Sequence, residues 1–475
     1  MLSIVCRRVT LSILGAVVLA CISPLRLFAA TVVVYPSGTT PCTTGFITYT
    51  SIQAAVNAVS LIPGSTVKLC PGTYMQQVTI TSKLTLTGIS GMDAAVILPP
   101  SGGLVQNGSD IFGNPVAAQI FVNSPGSANP VTVERLTVDA TGNNIAGCGP
   151  PTLEGIYFQN TSGTISNNAV RNQYQTDYTD YGGCQNGLAI NVESTTNLNT
   201  VTIANNSVRA YQKNGITATG AGTGAGSLGP SVTISGNYIV GLGATGMNWP
   251  TSGAAENGIQ FGFGATGYVT GNTVNDNIWG QDTFLQPYNA ASGILVFASE
   301  GISVTGNNVN SAQFGIALET DSSGFCLSGG STGTQVSCGT ADNSTVTGNK
   351  VIGTQIFDAI DACSNGNVIK TSIIYGSAES GVHVDDTCTS TTWGTVSGNN
   401  NTVESNTINE ACAGILQGTG TGNTYGPPAN TLNNVTNTTM AGDSCSTGPT
   451  GFTKAGQPSG KRNSARPSPF KLIRK

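Results

Sequence analysis

The sequence predicts an all-β protein in which a single chain winds into a parallel β-helix, a solenoid of stacked rungs with a short helix capping its N-terminal end. Three observations predict it. Units of the form Gly-Ile-x-apolar recur along the chain, and units of the form Val-Thr-Ile/Val-x-x-Asn-x-Val/Ile recur with them. The composition is rich in Gly (63 residues) yet only 9% charged over 475 residues. Ordinary globular domains are roughly one quarter charged, so helices laced with surface ion pairs are excluded. The 39% apolar content is enough for a core.

The N-terminal 30 residues read as a secretory signal: basic Arg7 and Arg8, an apolar run from Leu11 to Ile22, then small residues at Leu27-Phe28-Ala29-Ala30. The run is too short to span a bilayer, and no later segment is apolar enough for a transmembrane helix. Val18-Leu19-Ala20-Cys21 has a bacterial lipoprotein pattern, which makes lipid anchoring at Cys21 the lesser alternative to simple secretion or display at the cell surface.

Residues 31–75 supply the cap and first strands. Ser51-Ile52-Gln53-Ala54-Ala55-Val56-Asn57-Ala58-Val59 is an amphipathic helix with Ile52, Ala55, Val56 and Val59 on one face, stopped by Pro63-Gly64. Strands follow from Thr66 to Cys70 and from Val78 to Leu86. A cap is required because an open solenoid end exposes unpaired backbone and apolar columns.

The solenoid body extends to 445. Gly-Ile units stand at Gly155-Ile156, Gly187-Leu188, Gly215-Ile216, Gly258-Ile259, Gly293-Ile294, Gly315-Ile316, Gly381-Val382 and Gly414-Ile415. The Asn of the second unit falls at Asn168, Asn206, Asn237, Asn272, Asn307, Asn349 and Asn406, with Ser372 taking its place in one extra copy. Uneven spacing with constant units is how a solenoid looks when its loops vary and its rungs do not. Stacked rungs put one Asn about 4.8 Å above the next, within reach for an amide ladder.

All 23 acidic residues lie between Asp93 and Asp443, against eight basic residues in the same body. That balance repels phosphate backbones and excludes nucleic acid as a partner. Residues 446–475 form a basic tail rich in Ser, Pro and Gly and read as disordered. Ten cysteines remain after the signal, an even number suited to an oxidising compartment. Short loop closure favours neighbours pairing: Cys42 with Cys70, Cys148 with Cys184, Cys326 with Cys338, Cys363 with Cys388, and Cys412 with Cys445.

The run Ser51 to Val56, then Gly64-Ser65-Thr66-Val67, then Pro71-Gly72-Thr73-Tyr74, resembles the opening of the pectin-lyase-like superfamily, and the later Gly-Ile and Val-Thr-Gly-Asn units resemble its repeats. The resemblance covers about residues 31–440. It implies a right-handed, single-stranded parallel β-helix. It implies no single activity, since the superfamily includes polysaccharide lyases, hydrolases, esterases, epimerases and non-catalytic surface proteins.

Aligning the Gly-Ile units puts outward residues in columns. Asp361 and His383 become neighbours in one, and Glu319 and Asp385 stand two rungs apart in another, flanked by Asp321, Asp358 and Asp386. Stacked carboxylates suit glycoside hydrolysis, one as general acid and another activating water, with His383 tuning Asp361. They also suit Ca²⁺, the one cofactor suggested, with Asp321 and Asp386 as candidate ligands; the plain structural alternative is turn chemistry. Lys370 is the one base expected near the cluster. Tyr174, Asp177, Tyr178, Asp180 and Tyr181, with Trp249, interleave rings and acids in the manner of sugar-contacting loops. Gln281-Asp282-Thr283 resembles a pectin methylesterase motif, but that family's downstream partners are absent, and it reads as a loop coincidence. The expected protein is a monomer that acts on, or binds, extracellular polysaccharide or surface glycan. The competing expectation is a non-catalytic adhesion scaffold.

Overall fold

The computed structural model describes residues 28–126, 128–147, 149–177, 186–222, 228–242, 256–278, 291–320, 340–354, 357–385, 398–442 and 445. The described chain is a parallel β-helix. A 13-stranded sheet runs from its edge strand Ile47–Tyr49 through Thr31–Val34 and Ser65–Leu69 to Thr402–Glu404, and a second, 23-stranded sheet completes the coil. Among the described residues every strand pairing is parallel except one short antiparallel pairing, Gly108–Ser109 against Pro115–Val116.

Alternation decides the interior. In the strand Ser231–Ser235, Val232 and Ile234 are buried in the core while Ser231, Thr233 and Ser235 lie on the other face. Val201, Val232, Val269, Val304 and Val346 belong to the same core, as do Ile203 and Ile234. The helix Ile52–Val59 is capped by Ser51, whose side chain accepts from the Ala54 backbone amide, and its Ile52, Ala55, Val56 and Val59 join that core. The predicted cap is therefore in place.

The asparagines stack as expected. Each side-chain amide donates to the Oδ1 of the next in the series Asn168, Asn206, Asn237, Asn272, Asn307 and Asn349, at 2.9–3.1 Å. Ser372 continues the series by accepting from the Asn349 backbone amide, and Asn406 accepts from Ser372. The residue before each rung of the ladder turns the chain at positive φ, whether Asn205 (56°) or Gly271 (63°). Gly and Asn tolerate that region best, which explains the Asn-Asn and Gly-Asn pairs.

Glycine in the Gly-Ile units has a different cause. A Cβ on Gly293 would run into a Val309 methyl and the Gly315 carbonyl oxygen, and one on Gly315 into Val351 and the Ala359 carbonyl. The wall bends there, and successive rungs approach too closely for a side chain.

Of the predicted disulfides, Cys42–Cys70 and Cys412–Cys445 are formed. Cys363 is disulfide-bonded as well. Cys148, Cys184, Cys326, Cys338 and Cys388 lie outside the described residues, as do residues 1–27 and the basic tail. No helix among the described residues is long and apolar enough to cross a membrane.

Candidate functional site

Three adjacent rungs build the site. Ile316 and Leu318, Ile360 and Ala362, and Val382 and Val384 point into the core. Alternation therefore sends Ala317 and Glu319, Asp361 and Cys363, and His383 to the opposite face. The register pairs Ala317 with Asp361, Asp361 with His383 and His383 with Leu416; Glu319 pairs with Cys363. Asp361 and His383 are thus neighbours, and Glu319 and Asp385 flank Cys363, as the columns predicted.

Asp358, just before its strand, completes the cluster. Its Oδ2 lies 3.2 Å from His383 Nδ1, while Asp361 Oδ1 and Asp385 Oδ2 lie 3.9 and 4.0 Å from the same nitrogen. Asp358 Oδ1 accepts from the Ser380 hydroxyl at 2.7 Å and the Ser380 amide at 3.1 Å. An extra residue between Ser377 and Ser380, a bulge relative to the next strand, places Ser380 against it. His383 was expected to tune Asp361; among the described carboxylates Asp358 lies nearer to its Nδ1, at 3.2 Å against 3.9 Å.

The four groups are fully buried, and Glu319 is 5% exposed. On one side the outward face carries an apolar cluster of Phe263, Leu295, Phe297, Phe314 and Ala317, with Phe357 stacked on Phe314. On the other lies Leu416 with Cys412, Ala413 and Cys445. Donor atoms of Asp358, Asp361 and His383 lie within 4.8 Å of one another, close enough for a metal ion. An imidazole nitrogen fits Ca²⁺ poorly, since that ion takes six to eight oxygens. Asp321 and Asp386, its expected ligands, lie outside the described residues.

The other expected contacts do not converge here. Lys370 sits in the 13-stranded sheet, paired with Thr347 and Glu404, whereas Asp361 belongs to the other sheet. Nearness in sequence failed because the chain turns a corner between Cys363 and Val368. Asp177 accepts from the Gly147 amide through both oxygens, at 3.0 Å, and from Gln175 at 2.9 Å, so its carboxylate closes a turn. Asp177 and the half-buried Tyr174 precede a strand five rungs from Asp361, about 24 Å along the axis. Tyr178, Asp180, Tyr181, Trp249 and Gln281-Asp282-Thr283 lie outside the described residues.

The columns held everywhere except at Gly187-Leu188. Ile190, not Leu188, stands beneath Ile156, so Asn191 pairs with Tyr157 and Glu193 with Gln159. Gly187 has a positive φ of 80° and only leads into the strand; Ala189 stands at the crowded bend, where its carbonyl oxygen approaches Gly155. A slip of two residues preserves inward and outward faces, so the apolar pattern could not reveal it. Correct register uncovers a second acidic group that the sequence reading missed, Glu154 and Glu193, bridged by Asn191.

No protein-family model and no curated protein matches the chain. Among solved structures it is similar to the catalytic domain of a GH87 α-1,3-glucanase in complex with nigerose, at 14% identity and a TM-score of 0.53, covering 88% of this chain and 66% of that one. It therefore spans just under two thirds of the glucanase domain. A second structure, the Dettilon tailspike protein, gives 14% identity and a TM-score of 0.49, covering 85% and 68%. The glucanase likeness speaks to architecture alone, and it agrees with the rung-by-rung pairing: the chain has the right-handed parallel β-helix fold.

Proposed function

We propose that the protein is exported and acts on polysaccharide, hydrolysing glycosidic bonds at the cluster of Asp358, Asp361, His383 and Asp385, with Glu319 at its edge. The observation that carries this reading is the imidazole Nδ1 with three carboxylates within 4.0 Å, assembled from two adjacent rungs. Such a set can keep one carboxyl protonated to donate to a leaving oxygen while another activates water. Asp358, fixed by Ser380, orients the ring; Asp361 and Asp385 are the candidate acid and base. The two disulfides support export to an oxidising compartment. The glucanase similar in fold is bound to nigerose, which makes α-1,3-glucan the first substrate to try.

Full burial of the cluster favours a second reading, a glycan-binding scaffold without turnover. Reducing-end release from α-1,3-glucan, and from pectic, alginate and neutral plant polysaccharides, separates the two. Turnover by the full chain should fall by about 10²–10⁴-fold in Asp361→Asn and Asp385→Asn, with unchanged circular dichroism. Turnover unchanged in both variants refutes the site, and glycan retention without turnover establishes the scaffold.

A further inference from the structure

The second acidic group lies under a strap. Residues 104–114 leave the coil and fold back over its outward face, held by the Gly108–Ser109 pairing with Pro115–Val116 and by the Asn107 amide donating to the Val116 carbonyl oxygen at 3.0 Å. Beneath them Tyr157 donates to Glu193 Oε2 at 2.7 Å, and the Ile111 amide of the strap donates to the same oxygen at 3.0 Å. Gln159 donates to the Ser109 carbonyl oxygen at 2.6 Å. The Asn191 amide nitrogen lies 3.1 Å from one oxygen of Glu154 and 3.1 Å from one of Glu193. Glu154 is 2% exposed and Asn191 fully buried, and Glu154 Oε2 and Asn191 Oδ1 have no hydrogen-bond partner.

Glu154 and Glu193 thus stand on adjacent rungs beneath the strap, and Asp110 directly precedes the strap residue bonded to Glu193, its own carboxylate accepting from the Phe112 and Asn114 amides. The elements packed against Glu193 are the strand Thr152–Gln159, the strap and the strand Asn214–Gly220. Tyr157 is the other titratable group that the first presents, and the last places Thr217 and Thr219 beside Asn191 and Glu193. None of the three contains a Lys or Arg. Closing the strap brings Asp110 toward the buried pair, which costs more the more of the three are ionised.

We propose that Glu154, Glu193 and Tyr157 form a second, proton-holding acid site, and that residues 104–114 are its lid, closed while the pair keeps a proton and released when the proton leaves. The site is separate from the cluster at Asp361 and does not depend on the reading given to that cluster.

The sign follows from linkage. Burial, then the Asp110 carboxylate, push the closed-state Glu193 carboxyl up to about 7, and burial with Glu193 nearby pushes Glu154 well above the carboxylate range. With the strap open, Glu193 returns toward its ordinary value. The closed form thus binds the proton more tightly, and closure is favoured at low pH and weakens steadily as pH rises from the ordinary carboxylate range to about 7, where the loss is complete.

Hydrogen exchange of the full chain tests this by following the amides of residues 104–116 from about pH 4 to 8 in chelator, with rates corrected for their intrinsic pH dependence. The strap opening constant should rise by up to about tenfold per pH unit between the ordinary carboxylate range and about pH 7, where opening releases one proton, and level off above it. Glu193→Gln should abolish that rise, and Asp110→Asn should make it smaller and end it at lower pH, while the rungs around Asn237 keep their protection in both. A flat wild-type profile overturns the proposal, as does a rise persisting in Glu193→Gln. So does closure restored at high pH by millimolar Ca²⁺, which would make a cation the missing counter-charge. Should Glu193→Gln fail to fold, Asp110→Asn decides: a rise that is undiminished and levels off at the wild-type pH is refutation.

Discussion

Replacing Asn237 by Ala removes the middle of the amide ladder. Its Nδ2 donates to the Ile203 carbonyl oxygen at 2.9 Å and to Asn272 Oδ1 at 2.9 Å, and its Oδ1 accepts from the Asn206 backbone amide at 2.9 Å and side chain at 3.0 Å. Asn237 and its ladder neighbours are almost fully buried, so water cannot take over these bonds. Truncation orphans one buried backbone donor, at about 1–3 kcal/mol, and loses several amide bonds worth about 1 kcal/mol each, for a loss of about 3–5 kcal/mol. Ser372 shows what the position tolerates, because its hydroxyl still accepts from the amide of the previous rung. Asn237→Ser should therefore cost less, about 1–2 kcal/mol. Solenoids need not unfold in one step, so a single melting temperature is the wrong measure. Native-state hydrogen exchange of peptides from 201–208 and 231–240 reads the loss locally. Equal losses in the Ala and Ser variants, or none in either, would refute the claim that the side-chain acceptor holds the rungs together.

Two further outcomes follow from the packing. Gly315→Ala pushes the Ala359 carbonyl away, and Asp358 precedes Ala359 directly, so the variant should lose any polysaccharide turnover by at least about tenfold while retaining its β signature in circular dichroism. Breaking Cys42–Cys70 with paired serines frees a loop with a sequence separation of 28 residues and should lower stability toward denaturant by about 3–4 kcal/mol on chain entropy. A reduced wild type as stable as the oxidised one would contradict this.

How much of the site was legible depends on the kind of neighbour. Asp361 and His383 could be paired from sequence because vertical neighbours are fixed by counting from the bend in each rung, and their units, Ala359-Ile360 and Gly381-Val382, are recognisable. Glu154 and Glu193 were not legible, since counting from Gly187 put Ala189 and Asn191 in the places that Asn191 and Glu193 occupy, a slip of two residues that keeps inward and outward faces the same. Lys370 was misjudged because a short stretch of chain carries it round to the other sheet.

The sequence by itself determined the winding, the Asn ladder, the capping helix and which residues face outward, because each rests on local periodicity repeated at every rung. Tertiary structure alone decided that Asp358 lies nearer than Asp361 to His383, that the cluster is buried and that the 104–114 strap covers a second acid pair. Those facts depend on how bulges and excursions fold back over the wall. No repeat governs such excursions, so their positions follow from long-range packing.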